Sequence, residues 1–207
     1  MLYNESIIAL IRESEELKSQ GRNDEAIKLL QSILVTEPNC LEAYEELGDN
    51  YLSSHQPEKA QKALKQALKI NPRSSNAHYL MGFLLSMKED WRHSVEELTK
   101  ADEISPNHPE ILRCLGWAVY NSNRRTQGIS LLERSRNLSP FDPNILCDLG
   151  VCYMNSMQHE EAENVFKKAL QIDPRSEQAR ECLAVLEAMK TGLDMAGGLD
   201  ESSQHSA

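Results

Sequence analysis

The sequence predicts an all-α chain of stacked antiparallel helix pairs, and three observations predict it. Pro38, Pro72, Pro106, Pro140 and Pro174 follow one another every 34 residues, and Gly48, Gly82, Gly116 and Gly150 keep the same interval. Within each interval the apolar residues follow helical spacing twice, with a polar break between. Aromatic residues make up 5% of the chain against 40% hydrophobic, and Gly and Pro are few, which suits helices built from Leu, Ala, Glu and Lys. A fixed period of this length marks a repeat array in which each helix pair leaves an apolar flank bare until its neighbour covers it.

The first repeat, 7–40, departs from the pattern: Glu13 and Ser14 stand where later repeats have an apolar residue and glycine, so its first helix is expected to pack less tightly, as an end cap does. Repeat 41–74 is the clearest. Tyr44, Leu47, Gly48 and Tyr51 define its first helix, Ser53-Ser54-His55-Gln56-Pro57 breaks it, and Ala60, Leu64 and Ala67 define the second before Asn71-Pro72. Glycine at the eighth place lets the second helix cross closely, and Ala26, Ala60 and Ala162 make room from the other side.

In repeat 75–108, His78 takes the fourth-place core position. Repeat 109–142 opens on Pro109, whose missing N–H costs nothing at a helix start; Gly128 and Ser135 replace alanines and loosen its second helix. Asp142 is the expected N-cap of repeat 143–176, which opens on Pro143. Residues 177–190 repeat the first-helix pattern with Leu183-Ala184 and then stop, as a capping helix would, so the array spans 1–190. The stretch TGLDMAGGLDESSQHSA, 191–207, has three glycines and no apolar periodicity and is expected to be a disordered tail.

The run Tyr44-x2-Leu47-Gly48-x2-Tyr51, then Ala60-x3-Leu64-x2-Ala67 and Pro72, resembles the tetratricopeptide (TPR) family, and the likeness covers residues 7 to 174 in five units. The resemblance implies a right-handed α-solenoid, the TPR superhelix. It also implies that first helices line a concave groove, into which the second, fifth, sixth, ninth, twelfth and thirteenth places of each unit point. Those places are Asn76, Tyr79, Leu80, Phe83, Ser86 and Met87 in the third unit, and Arg113, Cys114, Trp117, Tyr120 and Asn121 in the fourth. The fifth offers Asn144, Cys147, Asp148, Val151, Met154 and Asn155, and the cap Val185 and Met189.

Trp117 lies roughly 150° around its helix from the stripe of Leu112, Leu115, Gly116 and Val119, so one core does not account for it. It shares the ninth place with Phe83, Val151 and Val185; these would form an apolar ridge edged by asparagines, with Met87 and Met154 adapting to the ligand. The alternative is that Trp117 packs between adjacent first helices as core. The second unit presents Glu42, Glu45, Glu46 and Asp49, either an acidic groove mouth that favours a ligand with a basic end and apolar anchors, or a solvated helix face with acids near its N-terminus.

A formal charge of −10 disfavours nucleic acid or an anionic lipid surface as partner. No apolar stretch reaches bilayer length, and the N-terminus has no basic leader, its apolar run being cut by Arg12 and Glu13; membrane insertion and a secretory signal are not expected. Cys40, Cys114, Cys147, Cys152 and Cys182 form an odd set without a CxxC pair, which favours reduced thiols and a cytoplasmic location. Cys114 and Cys147 fall on neighbouring first helices, where buried free thiols are commoner than a redox pair.

The histidines share no metal-ligand spacing, and no phosphate loop, GxSxG, HExxH or dinucleotide motif is present; neither metal, cofactor nor catalysis is expected. The carboxylate clamp by which some TPR relatives grip chaperone tails is missing, its places being filled by Glu45, Asp49, Leu80, Glu110 and Cys114. The expected function is a non-catalytic interaction module, or adaptor, that binds a peptide or helical segment of a partner protein. The alternative is a homo-oligomeric scaffold in which Ile8 and Ile11 of one copy enter the groove of another.

Overall fold

A computed structural model describes residues 5–201, with side chains described to 189. The chain divides into two compact units, Met1–Ala118 and Val119–Ala207. The helices of the first are α1 (Glu5–Ser19), α2 (Asn23–Thr36), α3 (Leu41–Ser53), α4 (Pro57–Ile70), α5 (Ser75–Met87) and α6 (Trp91–Ile104), followed by α7 (Pro109–Asn121), whose last residues belong to the second unit. The second contains α8 (Arg125–Leu138), α9 (Pro143–Asn155), α10 (His159–Ile172) and α11 (Glu177–Glu201). Pro57, Pro109 and Pro143 each open a helix as expected.

Three residues join the two helices of each pair, and the middle one is left-handed every time: Gly21, His55, Glu89, Asn123 and Met157, with φ between 54° and 74°. Each turn closes with the same two bonds. His55 N–H donates to the Leu52 carbonyl at 3.0 Å and Gln56 N–H to that of Tyr51 at 2.8 Å; Met157 and Gln158 do the same to Met154 at 3.1 Å and Tyr153 at 2.9 Å. This is the Schellman ending, which satisfies the last carbonyls of a helix and reverses the chain. Its strict recurrence forces successive helices antiparallel.

The helix crossings explain the glycines. A Cβ built on Gly48 would lie 2.6 Å from Leu64 Cδ2, one on Gly82 2.5 Å from Leu98 Cγ, and one on Gly150 2.5 Å from Phe166 Cε1. In the first pair the same place holds Ser14, fully buried, its hydroxyl donating to Ile11 O at 2.6 Å. On the facing helices Ala26, Ala60 and Ala162 are sealed, and Ser94 takes the alanine's place in α6, donating to Gly82 O at 2.8 Å.

In the first unit each leading helix packs on its own partner and on the helix before: α3 meets α4 and α2, and α5 meets α6 and α4. Leading helices also touch one another, α1 with α3 and α3 with α5. The core holds Leu30, Ile33, Leu47, Leu64, Leu80 and Leu84, with Phe83 and Tyr79 packed at its margin. His78 is buried as expected, its ring nitrogens 2.6 Å from Glu97 and 3.0 Å from the Pro72 carbonyl. In the second unit α9 packs on α8, α10 and α11, around Ala162, Phe166 and Leu186.

Asp142 caps α9, accepting from Asn144 N–H at 2.8 Å and Ile145 N–H at 3.4 Å. Ser74 caps α5 in the same way. The closing helix runs on to Glu201, past the end expected at Lys190, so the boundary drawn there is not where the helix stops. Of the expected disordered tail, 202–207 lies outside the described residues.

Candidate functional site

The first unit contains a hollow of about 400 Å³ bordered by three leading helices. α3 supplies Asp49, Leu52 and Ser53, with His55 from its turn; α5 supplies Tyr79, Leu80, Phe83 and Met87; α7 supplies Glu110 and Arg113. Helical spacing explains why α5 gives these four: 79, 80, 83 and 87 lie on one stripe, so a single face of α5 forms the wall. Leu80 is sealed into the core beneath, Phe83 is half-buried, and Met87 is 48% exposed, which makes the methionine the accessible apolar surface.

The polar edge is internally bonded. Arg113 donates to Glu110 through Nε at 2.8 Å and an η nitrogen at 2.6 Å, and the Tyr79 hydroxyl donates to Glu110 at 3.1 Å. Burial alone would push the Glu110 carboxyl up, but the hydrogen bonds from Arg113 and Tyr79 outweigh it and hold the group below the usual glutamate range. Burial, reinforced by Cys114 and Glu110, pushes the Tyr79 phenol well above its ordinary value, so it stays a neutral donor. Cys114 is sealed, its Sγ 3.7 Å from Glu110.

Of the expected binding residues in this unit, Tyr79, Phe83, Met87 and Arg113 border the hollow. Trp117 is half-buried and outside its lining, neither sealed nor fully bare. Asn76 is exposed but engaged, donating to Glu45 at 3.1 Å. Cys114 is a correction: a thiol sealed beside Glu110 offers a ligand nothing.

The acidic mouth needs a larger correction, because three of its four carboxylates already have partners. Glu45 is buried and accepts from the Ser74 hydroxyl and from Asn76. Lys18, reaching over from α1, pairs with Glu46 at 3.2 Å and with Asp49. Burial lifts the Glu46 carboxyl above its usual range despite the lysine. Only Glu42 stands fully exposed. Lys18 occupies the twelfth place of the first repeat, and Leu52 and Ser53 the twelfth and thirteenth of the second; the register that selects Met87 selects them too.

In the second unit, Asn144 and Asn155 are exposed and Asn121 is partly so. Val151 and Met154 are half-buried against the core made by Phe166 and Leu186, so α11 already covers part of them. Tyr120 and Cys147 are buried, a third correction. The Tyr120 hydroxyl is spent on the Cys152 carbonyl at 3.1 Å and on Ser156 at 3.0 Å, and burial raises the Cys147 thiol. All five cysteines are free thiols. In α1, Ile8 is exposed while Ile11 packs on the core, so only one of that pair is free to reach another copy.

Helix pairs every 34 residues, small residues at each crossing and a left-handed turn between partners define a TPR array, an all-α solenoid class. The chain belongs to the family described as the cilia and flagella-associated protein 70 C-terminal domain, which matches residues 8–206. No curated protein matches it in sequence. Among solved structures, the Cut9–Hcn1 hetero-tetramer of the APC/C aligns with a TM-score of 0.81 at 17% identity, over 86% of this chain and 36% of that one. PilF of Pseudomonas aeruginosa aligns at 0.76 and 16% identity, over 94% and 88%. YrrB, described as a TPR protein with an unusual peptide-binding site, aligns at 0.61 and 20% identity, over 83% and 89%. At these identities the likeness is one of fold. Among the described residues no helix is long and apolar enough to cross a membrane, and no group of His, Cys, Asp and Glu is arranged to hold a metal.

Proposed function

We propose that the chain is a non-catalytic interaction module that holds a segment of a partner protein against the hollow of its first unit. The observation that carries this reading is the convergence of Tyr79, Phe83, Met87 and Arg113, chosen by repeat register, on one hollow whose accessible apolar surface is a methionine. An adaptable thioether beside a half-buried ring suits an apolar anchor side chain. The Glu110–Arg113 pair and Ser53 at the edge offer bonding groups to the main chain that carries it.

The ligand's basic end is no longer part of the proposal, since Lys18 already pairs with Glu46 and Asp49, and Glu45 is bonded to Ser74 and Asn76. The description of the YrrB structure as peptide-binding and of the family as cilia- and flagella-associated agree with a scaffold role. The test is a pull-down from ciliated-cell extract with the full chain, Phe83→Ala and Met87→Asp, each checked for folding. Loss of the same recovered proteins in both variants is expected; undiminished recovery overturns the reading.

A second reading is kept for one observation: Ile8 is 40% exposed on the first helix. Head-to-hollow self-assembly through it would make Ile8→Asp abolish concentration-dependent species in sedimentation. A monomer at all concentrations in the unaltered chain removes that reading.

A further inference from the structure

α3 borders a second hollow on its other side, where Tyr44 is partly accessible and Leu47 and Tyr51 are buried beneath it. Tyr44, Leu47 and Tyr51 lie about 160° around its axis from the residues that border the hollow, and they floor a trough whose wall is α4. Two adjoining spaces of about 320 and 470 Å³, sharing Tyr44 and Gln66, make up this trough. Lys59 and Lys62 line the first space and Lys69 the second. Lys59 stands 5.5 Å over the Tyr51 ring. All three lysines are exposed, and Lys62 and Lys69 make no ion pair among the described residues.

The repeats supply an internal control. The equivalent hollow one repeat later, about 440 Å³, has Glu103 at the place of Lys69, Lys100, paired with Glu97, at that of Gln66 and Arg73 at that of Asn39; outside its lining, the places of Lys59 and Lys62 are filled by His93 and Glu96. The same fold therefore forms without the lysines. Lys59 is held by the Gln56 side chain and the Tyr51 ring, but Lys62 and Lys69, exposed on the same helix of a chain with net charge −10, are not explained by packing or by the general surface.

We infer that this trough docks an acidic polypeptide segment of a partner protein, its carboxylates meeting Lys59, Lys62 and Lys69 and an aromatic or aliphatic side chain resting on Tyr44. Lys62 and Lys69 are two helical turns apart, about 10 Å, which matches about three residues of extended chain. A nucleic acid needs a longer positive track; beyond a Debye length of about 8 Å its phosphates meet the acidic remainder of the chain. The trough and the hollow lie on opposite faces of α3, so the two proposals stand or fall separately.

The test is fluorescence anisotropy of a fluorescein-labelled peptide of alternating Glu and Tyr with the full chain. Binding is expected to weaken about tenfold in the double variant Lys62→Glu/Lys69→Glu and to fall steeply between about 50 and 200 mM salt. It is expected to survive in Lys62→Arg/Lys69→Arg and in Phe83→Ala. Lys62→Gln/Lys69→Gln, with its unfolding midpoint measured, separates lost charge from lost fold. No binding to the unaltered chain, no effect of charge reversal, or tighter binding of polyuridylate or phosphatidylserine vesicles than of the peptide overturns the inference.

Discussion

Replacing Gly82 by alanine sets two effects of known sign against each other. Alanine favours the helix by about 1 kcal/mol over glycine, so an open site would be stabilised. Here the new methyl would lie 2.5 Å from Leu98 Cγ, 3.0 Å from its Cδ2 and 3.2 Å from its backbone nitrogen. Leu98 is fully buried and has nowhere to swing, and a backbone nitrogen moves only if α6 moves. Overpacking typically costs about 1–3 kcal/mol; a branched carbon and a main-chain atom met together belong at the top of that range. The expected net loss is about 1–2 kcal/mol. Gly48→Ala should lose less, since its close neighbours are side-chain atoms of Leu64 only. Leu98→Ala alone should cost about 3–5 kcal/mol. In the double variant the alanine methyl at 82 occupies part of the vacated space, so the two costs should fall short of their sum by about 1 kcal/mol or more. Urea unfolding followed by circular dichroism, compared at constant slope, reads all four. A raised midpoint for Gly82→Ala, or strict additivity in the pair, refutes the close-crossing account.

Met157 is 71% exposed and left-handed at φ 61°, so Met157→Gly should raise stability by about 1 kcal/mol, whereas Gly21→Ala at φ 74° should lower it by a similar amount; thermal melts decide. Lys18→Ala leaves Glu46 and Asp49 without their cation; both are partly exposed, so the loss should be about 0.5–1 kcal/mol, while a labelled oligolysine peptide should bind more tightly at low salt. Glu110 is more acidic folded than unfolded, so its contribution is complete at neutral pH and disappears as the pH falls through its folded value. The melting temperature should drop below about pH 4.5, and more gently in Glu110→Gln. Glu97, also held low because bonds from Lys100 and His78 outweigh its burial, adds to the acid slope, as do Asp90 bonded to His93 and Glu25 bonded to Arg22, and Glu46, raised by burial, opposes it.

The repeat was legible because its prolines and glycines do jobs that few other residues do: Pro opens helices at 57, 109 and 143, and Gly48, Gly82 and Gly150 stand where no Cβ fits. The turns between partners were not. Only Gly21 and Asn123 are of types that advertise a left-handed residue, while His55, Glu89 and Met157 are forced into that region by the packing of the helices they join. Ser94 in place of alanine was likewise silent, because its hydroxyl is satisfied by a carbonyl of the facing helix. The misreading of the acidic face has the same origin. Glu46 and Asp49 look like a free field in one dimension, and the lysine that pairs with both sits near the end of another helix. Glycines at 192, 197 and 198 lower helix propensity without forbidding a helix, which is why α11 outruns the boundary drawn from them.

A repeat array separates scaffold from recognition more cleanly than a single globular core does. A place that the fold dictates must be filled compatibly in every copy, as the left-handed turn place is in all five. A place that varies is one the fold leaves free. The ninth place of the leading helix runs Glu15, Asp49, Phe83, Trp117, Val151, from charge to aromatic to aliphatic, although the helices that carry it keep the same bonds and crossings. The outer helix behaves likewise: Lys62 and Lys69 give way to Glu96 and Glu103 with no change of element. Identical scaffolding beneath different side chains means the fold does not dictate which side chain stands there, even where, as at Phe83 and Val151, it packs on a core margin. What they share is access to an open surface, at Met87 beside one face of α3 and at Lys62 beside the other, and open surface is where a partner protein would be met.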